Sequence, residues 1–135
     1  MTMTQMRGRR RRYATPRYAL TARRNTEAQI QRAIFQYLDL RGAPDVYAFH
    51  PANGGYRSKV TASILKACGV RAGVPDIVAV KDGKTFALEL KTDSGRLSEA
   101  QQRAHEALRR AGASVAVAFG LDQALTQLKK WGILR

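Results

Sequence analysis

The chain has few of the features that would staple, anchor or metallate it in the familiar ways. Cys68 is its one cysteine, which excludes an internal disulfide and fits a reducing compartment. Cys68 is read as a small hydrophobe in the core. No Cys/His cluster suggests a zinc site. No apolar run approaches the roughly 18 residues a membrane-spanning helix needs. No internal repeat is visible, and 135 residues leave room for one domain with a real core. Acids are the scarcest charged group: 10 Asp and Glu face 24 Lys and Arg, a net charge of +14. What is present in ordinary measure is apolar residue content, 44%, as in a globular chain.

The basic excess is uneven. Residues 1–24 hold eight arginines (Arg7, Arg9, Arg10, Arg11, Arg12, Arg17, Arg23, Arg24) and no acid; subtracting eight from +14 leaves +6 on the rest. A surface this basic attracts a polyanion, most commonly nucleic acid. Tyr13 and Tyr18 interleave with the arginines and could stack on bases. The composition of residues 1–24 is that of a disordered, solvated arm. A transit peptide would also be Arg-rich, but residues 1–12 carry no clear apolar face.

Beyond the arm, residues 25–135 read as one domain of order α–β–α–β–β–α–β–α. Thr26 and Gln29 are spaced as a capping box. Ile30, Ala33, Ile34, Tyr37 and Leu38 make the apolar stripe of a first helix that Gly42 and Pro44 end. Residues 46–50 form a short strand, followed by a loop at Pro51-Ala52-Asn53-Gly54-Gly55. Residues 57–67 form a second helix, with Val60, Ile64, Leu65 and Cys68 on one side and Gly69 as its stop. Asp76–Val80 and Thr85–Lys91 are strands joined by Lys81-Asp82-Gly83-Lys84, where Asp-Gly between apolar runs signals a hairpin. Ser98 and Gln101 make a second capping box, opening a helix whose Leu97, Ala104, Leu108 and Ala111 face the core and which Gly112 ends. Ser114–Phe119 is a near-continuous apolar run that fits a strand covered on both faces. Asp122 caps a last helix with Leu125, Leu128 and Trp131 as its stripe. Trp131 reads as core or dimer surface rather than a base-stacking platform. The fold class is α/β, a small mixed sheet flanked by helices.

The hairpin carries the chemistry. Strand side chains alternate, so Glu89 and Lys91 share one face, while Phe86, Leu88 and Leu90 share the other. The turn makes the two strands neighbours and puts Asp76 beside Glu89. Two carboxylates and an ammonium then converge at one end of a hairpin. Carboxylate oxygens hold Mg²⁺, which keeps waters and space for a phosphate, and a nearby lysine can orient a water or stabilise charge. The same three residues on a solvated hairpin face would be unremarked.

Other positions carry two readings each. Glu27 lies on the buried side of its helix's first turn, where it either serves the helix dipole or has a role in the site. His50 either hydrogen-bonds a phosphate or caps a strand end. Asn53, Gly54 and Gly55 either approach a phosphate or simply connect. Arg57, Lys59 and Lys66 touch a phosphate backbone or face solvent. Gly73 before Pro75 suggests a tight approach beside the site.

Pro75-Asp76 followed by Glu89-Leu90-Lys91 is the motif of the PD-(D/E)xK nucleases. Its flanks extend the likeness: Asn53-Gly54-Gly55, the stretch from Leu65 to Asp76, and that from Leu88 to Gln101. Together they resemble the virus-type replication-repair nuclease (VRR-NUC) family over about residues 26–117. The resemblance implies a restriction-endonuclease-like fold and a Mg²⁺- or Mn²⁺-dependent endodeoxyribonuclease, with one or two ions. It implies metal ligation by Asp76, Glu89 and the Leu90 backbone carbonyl, with Glu27 completing the site directly or through water. Lys91 would activate the attacking water, and Gln101, if not merely a cap, would sit beside that lysine. A 5′-phosphate product follows from the same resemblance. Stand-alone members resemble phage Holliday-junction resolvases that act as homodimers, and two-fold symmetry suits a junction. DNA contacts would come from His50, Asn53, Gly54, Gly55, Arg57, Lys59 and Lys66, and from Arg9, Arg10, Arg11 and Arg12. The expected setting is the cytoplasm of a bacterial or phage-infected cell, with no membrane partner. The alternatives are a flap-, nick- or fork-directed nuclease of the same family, a non-catalytic basic nucleic-acid-binding module, and an assembly protein on packaged nucleic acid.

Overall fold

A computed structural model describes residues 26–52 and 58–135. Arg9, Arg10, Arg11, Arg12, Asn53, Gly54, Gly55 and Arg57, all assigned above to DNA contact, lie outside the described residues, as do Tyr13 and Tyr18. The elements are α1 (Glu27–Arg41), β1 (Tyr47–Phe49), α2 (Lys59–Ala67), β2 (Ile77–Lys81), β3 (Lys84–Lys91), α3 (Glu99–Arg110), β4 (Ser114–Phe119) and α4 (Leu121–Lys130). This is the expected order and a mixed α/β architecture.

The four strands form one sheet in the order β1-β2-β3-β4. The first two pairings are antiparallel and β3–β4 is parallel. The hairpin closes through Lys81 opposite Lys84. Asp82 and Gly83 both have positive φ (51° and 72°), the two-residue turn whose twist matches its strands. The parallel step from β3 to β4 needs a crossover, and α3 supplies it. Between β2 and β4, the centre of the sheet is β3, and it is buried from Phe86 to Lys91.

One face of the sheet carries the core. Ile30, Ala33 and Ile34 of α1 and Leu121, Ala124 and Leu128 of α4 cluster with Ile77, Ala79, Phe86, Leu88, Leu90 and Ala118. Trp131 belongs to this core, its ring 5.3 Å from that of Phe86. Both capping boxes form, Thr26 with Gln29 and Ser98 with Gln101. A Cβ at Gly73 would overlap the backbone of Ala100 and Gln101, so the loop before Pro75 does approach α3 tightly.

Four expectations need correction. Cys68 is exposed, and so are Val60 and Ile64, at 70% and 58%, because no element among the described residues covers the apolar side of α2; Leu65 alone of that side is half-buried. The β4 strand is an edge with one neighbour, so only Ala118 in it is fully buried. Ala111 is exposed at the C-cap of α3. The N-cap of α4 is Gly120, with φ 90° and no side-chain bond, and Asp122 sits inside the first turn.

Candidate functional site

The site is assembled where β2 begins and β3 ends. Asp76 stands one residue before β2, and its Oδ2 accepts the Leu90 N–H at 2.8 Å. That bond ties the Pro75–Asp76 turn to the end of β3. In an extended strand the N–H and C=O of one residue point to the same neighbour. The Lys91 carbonyl points the other way, toward β4, where it accepts the Gly120 N–H at 2.9 Å. The Leu90 carbonyl therefore lies on the Asp76 side, past the last β2–β3 pair at Ile77–Leu88.

Glu89 is 1% exposed and Lys91 8%, unusual for charged residues without a task or partner. Two side chains from α3 grip the Glu89 carboxylate. Gln101 Nε2 donates to Oε1 at 3.0 Å, and His105 Nε2 lies 3.2 Å from Oε2. Gln101 thus does both things considered for it, since its Oε1 also accepts the Ser98 N–H at 2.9 Å. Gln101 and His105 are four residues apart and so share one face of α3.

Burial, above all, pushes the Glu89 carboxyl up to about 8. The Asp76 charge and a hydrogen bond with the Asp76 side chain add to this, as does Glu27; Lys91 opposes it. His105 is shifted down, first by burial and then by the Arg109 and Lys91 charges, against the pull of Asp76. Both effects favour its neutral form. Facing an ionised Glu89, its proton sits on Nε2, and the buried Nδ1 is left as a lone pair without a partner.

This donor set suits a hard divalent cation. Two carboxylates crowd until one holds its proton, and a cation between them relieves that crowding. Among the described residues no three His, Cys, Asp or Glu side chains form a cage by themselves. Two carboxylates and a carbonyl are what an ion that keeps its waters requires.

Glu27 is half-buried and lines a cleft with Asp76 and His50, and its charge reaches Glu89. His50 is exposed, with Nδ1 2.6 Å from the Asp76 carbonyl oxygen; the ring nitrogen is the donor and braces the turn. The structure thus gathers Glu27, Asp76, Glu89, Leu90, Lys91, Gln101 and His50. Lys59 and Lys66 are exposed on α2. His105 was missed by the sequence reading, and its one signal was the four-residue spacing from Gln101.

Comparison with known proteins fits this geometry. The VRR-NUC domain family matches residues 25–121. A solved structure titled "VRR_NUC domain protein" superposes with a TM-score of 0.67 at 22% identity, covering 80% of this chain and 88% of that one. A second, "VRR_NUC domain", gives 0.52 at 21% identity, covering 77% and 94%. No curated protein matches the chain. The fold and the family together define a nuclease of the PD-(D/E)xK type. The chain belongs to the VRR-NUC family, which implies that it binds DNA. No helix among the described residues is long and apolar enough to cross a membrane.

Proposed function

We propose that this nuclease is a Mg²⁺- or Mn²⁺-dependent endodeoxyribonuclease that resolves four-way DNA junctions as a homodimer in the cytoplasm. The observation that carries the catalytic part is the convergence of Asp76, Glu89 and Lys91 at the hairpin end, with Glu89 buried and pushed up to about 8. Asp76, Glu89 and the Leu90 carbonyl would hold the ion, with Glu27 reaching it or its waters. When bound, the ion polarises the scissile phosphate and stabilises the leaving oxygen.

The chain's own residues do the rest. Lys91, on the Glu89 face of β3, orients the attacking water and offsets charge on the phosphate. Gln101 and His105 fix the Glu89 carboxylate so that it need not reorganise during the reaction. His50 and the Leu90 N–H hold Asp76 from its backbone and side-chain ends. The basic residues 1–24 supply DNA affinity that falls steeply with salt. The junction preference rests on the resemblance to stand-alone resolvases and on the match of a two-fold dimer to a two-fold substrate.

The test is cleavage of a labelled four-way junction beside matched duplex, flap and single-stranded DNA, in Mg²⁺, Mn²⁺ or EDTA. Parent and Lys91→Ala proteins are compared. Paired symmetric nicks on the junction, lost in EDTA and with Lys91→Ala, are expected. Metal-dependent cutting of flaps or duplex alone would keep the nuclease and discard the resolvase. Tight binding without cutting would make the chain a binding module.

A further inference from the structure

The polar side of α1 opens on a cleft of about 490 Å³, within the size range of small-molecule sites, roughly 300–1,000 Å³. Glu27, Gln31, Arg32, Phe35, His50 and Asp76 line it. Gln31 is one turn beyond Glu27, and Phe35 one turn beyond Gln31, so a single helix face points into the cleft. The adjoining side of α1 carries Ile30, Ala33 and Ile34 into the core.

Arg32 is the one Lys or Arg in that lining. It is exposed, and it forms no ion pair among the described residues. Arg32 shares this lining with the Glu27 and Asp76 carboxylates but pairs with neither, so it adds no ion pair to stability. It is well placed for an anion that arrives with a cation. Arg32 stands about 7.5 Å along the helix axis from Glu27, on the scale of one nucleotide step from that carboxylate. Its planar fork suits a phosphodiester.

We propose that this cleft seats the nucleotide next to the scissile phosphate, with Arg32 gripping that neighbouring phosphodiester. Resting on the nuclease reading, the assignment gives the DNA strand a path from the Asp76–Glu89 pair across α1, between Arg32 and His50.

The experiment measures binding of a fluorescein-labelled four-way junction and a matched duplex by anisotropy, across a salt series, in Ca²⁺ and separately in EDTA. Parent, Arg32→Ala, Arg32→Lys and Lys130→Ala proteins are compared; Lys130 is an exposed cation at the end of α4, outside the cleft. Arg32→Ala is expected to weaken binding about tenfold and to lower the log–log salt slope by about one. The loss is larger in Ca²⁺, where the carboxylates are neutralised. Arg32→Lys keeps the slope and recovers part of the affinity, and Lys130→Ala stays near the parent. Mn²⁺ binding by DNA-free protein is unchanged in Arg32→Ala. Parent-like affinity and slope in Arg32→Ala would overturn the assignment, as would an equal effect of Lys130→Ala. A parent that binds DNA but never cuts it in Mg²⁺ or Mn²⁺ would sink the nuclease reading separately, because the Arg32 comparison needs no cutting.

Discussion

Helices α2 and α3 make an instructive pair. Both are amphipathic, and they use the sheet in opposite ways. In α3 the one fully buried residue is a histidine, aimed with Gln101 at a buried glutamate. In α2 no residue is fully buried, and Val60 and Ile64 stand in solvent. Near β1 the sheet is also open: Tyr47, Phe49 and Val80 are exposed. Apolar periodicity orients a helix only where another element offers a surface. At α3 the surface is the Glu89 side of β3, where the polar contacts of Gln101 and His105 join the half-buried Ala104 and Leu108. The acid that these contacts hold costs stability to bury.

The largest way to break that arrangement is at Asp76 and Lys91. Asp76→Ala and Lys91→Ala should each lower cleavage by about 10²-fold or more, measured in Mg²⁺ with folding checked by circular dichroism. Either variant cutting like the parent would end the mechanism. His105→Ala should come next. Removing a group that orients a metal ligand typically lowers metal affinity about 10- to 100-fold. Calorimetric Mn²⁺ titration reads this without DNA, and Gln101→Ala should behave similarly. A His105→Ala protein with parental Mn²⁺ affinity would make the histidine mere filling.

The pH dependence sharpens the same side of the comparison. Without metal, folded Glu89 keeps its proton up to about 8, whereas an unfolded glutamate loses it near 4.5. Between these values the folded state binds more protons, so stability falls as pH rises. His105 has the opposite sign, because its folded value lies below 6.5; its contribution grows as pH rises toward 6.5. From pH 6.5 to about 8 the Glu89 effect therefore stands without the histidine's. In EDTA, Tm should drop across that window, and Glu89→Gln should remove the drop. Saturating Mn²⁺ should remove it as well, since the ion replaces the proton. A flat parental profile in EDTA would mean that Glu89 is ionised without metal.

Much of the α3–β3 side was legible because its signals are local. Asp82-Gly83 specifies a tight hairpin, and the hairpin brings Asp76 to Glu89. Thr26/Gln29 and Ser98/Gln101 start their helices where the capping boxes place them. Gly73 is required by the α3 backbone beside it. The misreadings share a different origin. Periodicity says that Val60, Ile64 and Cys68 share a face, but it is silent on whether anything covers that face. The apolar run of β4 would read the same in a central strand, and only the sheet order makes it an edge. His105 fell outside an apolar stripe drawn through Ala104 and Leu108, although its spacing from Gln101 was in view.

The smallest predicted effect tests the other half of the comparison. If α2 is as open as it stands, Ile64→Ser should change stability by no more than about 0.5 kcal/mol, as surface substitutions do. Ile34→Ala in α1, fully buried, should cost about 2–5 kcal/mol. Urea unfolding of both variants, with sedimentation to follow mass, checks the contrast. Suppose instead that Ile64→Ser lowers both stability and mass. The apolar side of α2 would then be covered by another copy of the chain, and its exposure would be a property of the isolated protomer. The absence of a buried residue in α2 would mark an interface rather than a loosely held helix, and the two helices would differ in what covers them, not in whether they are covered.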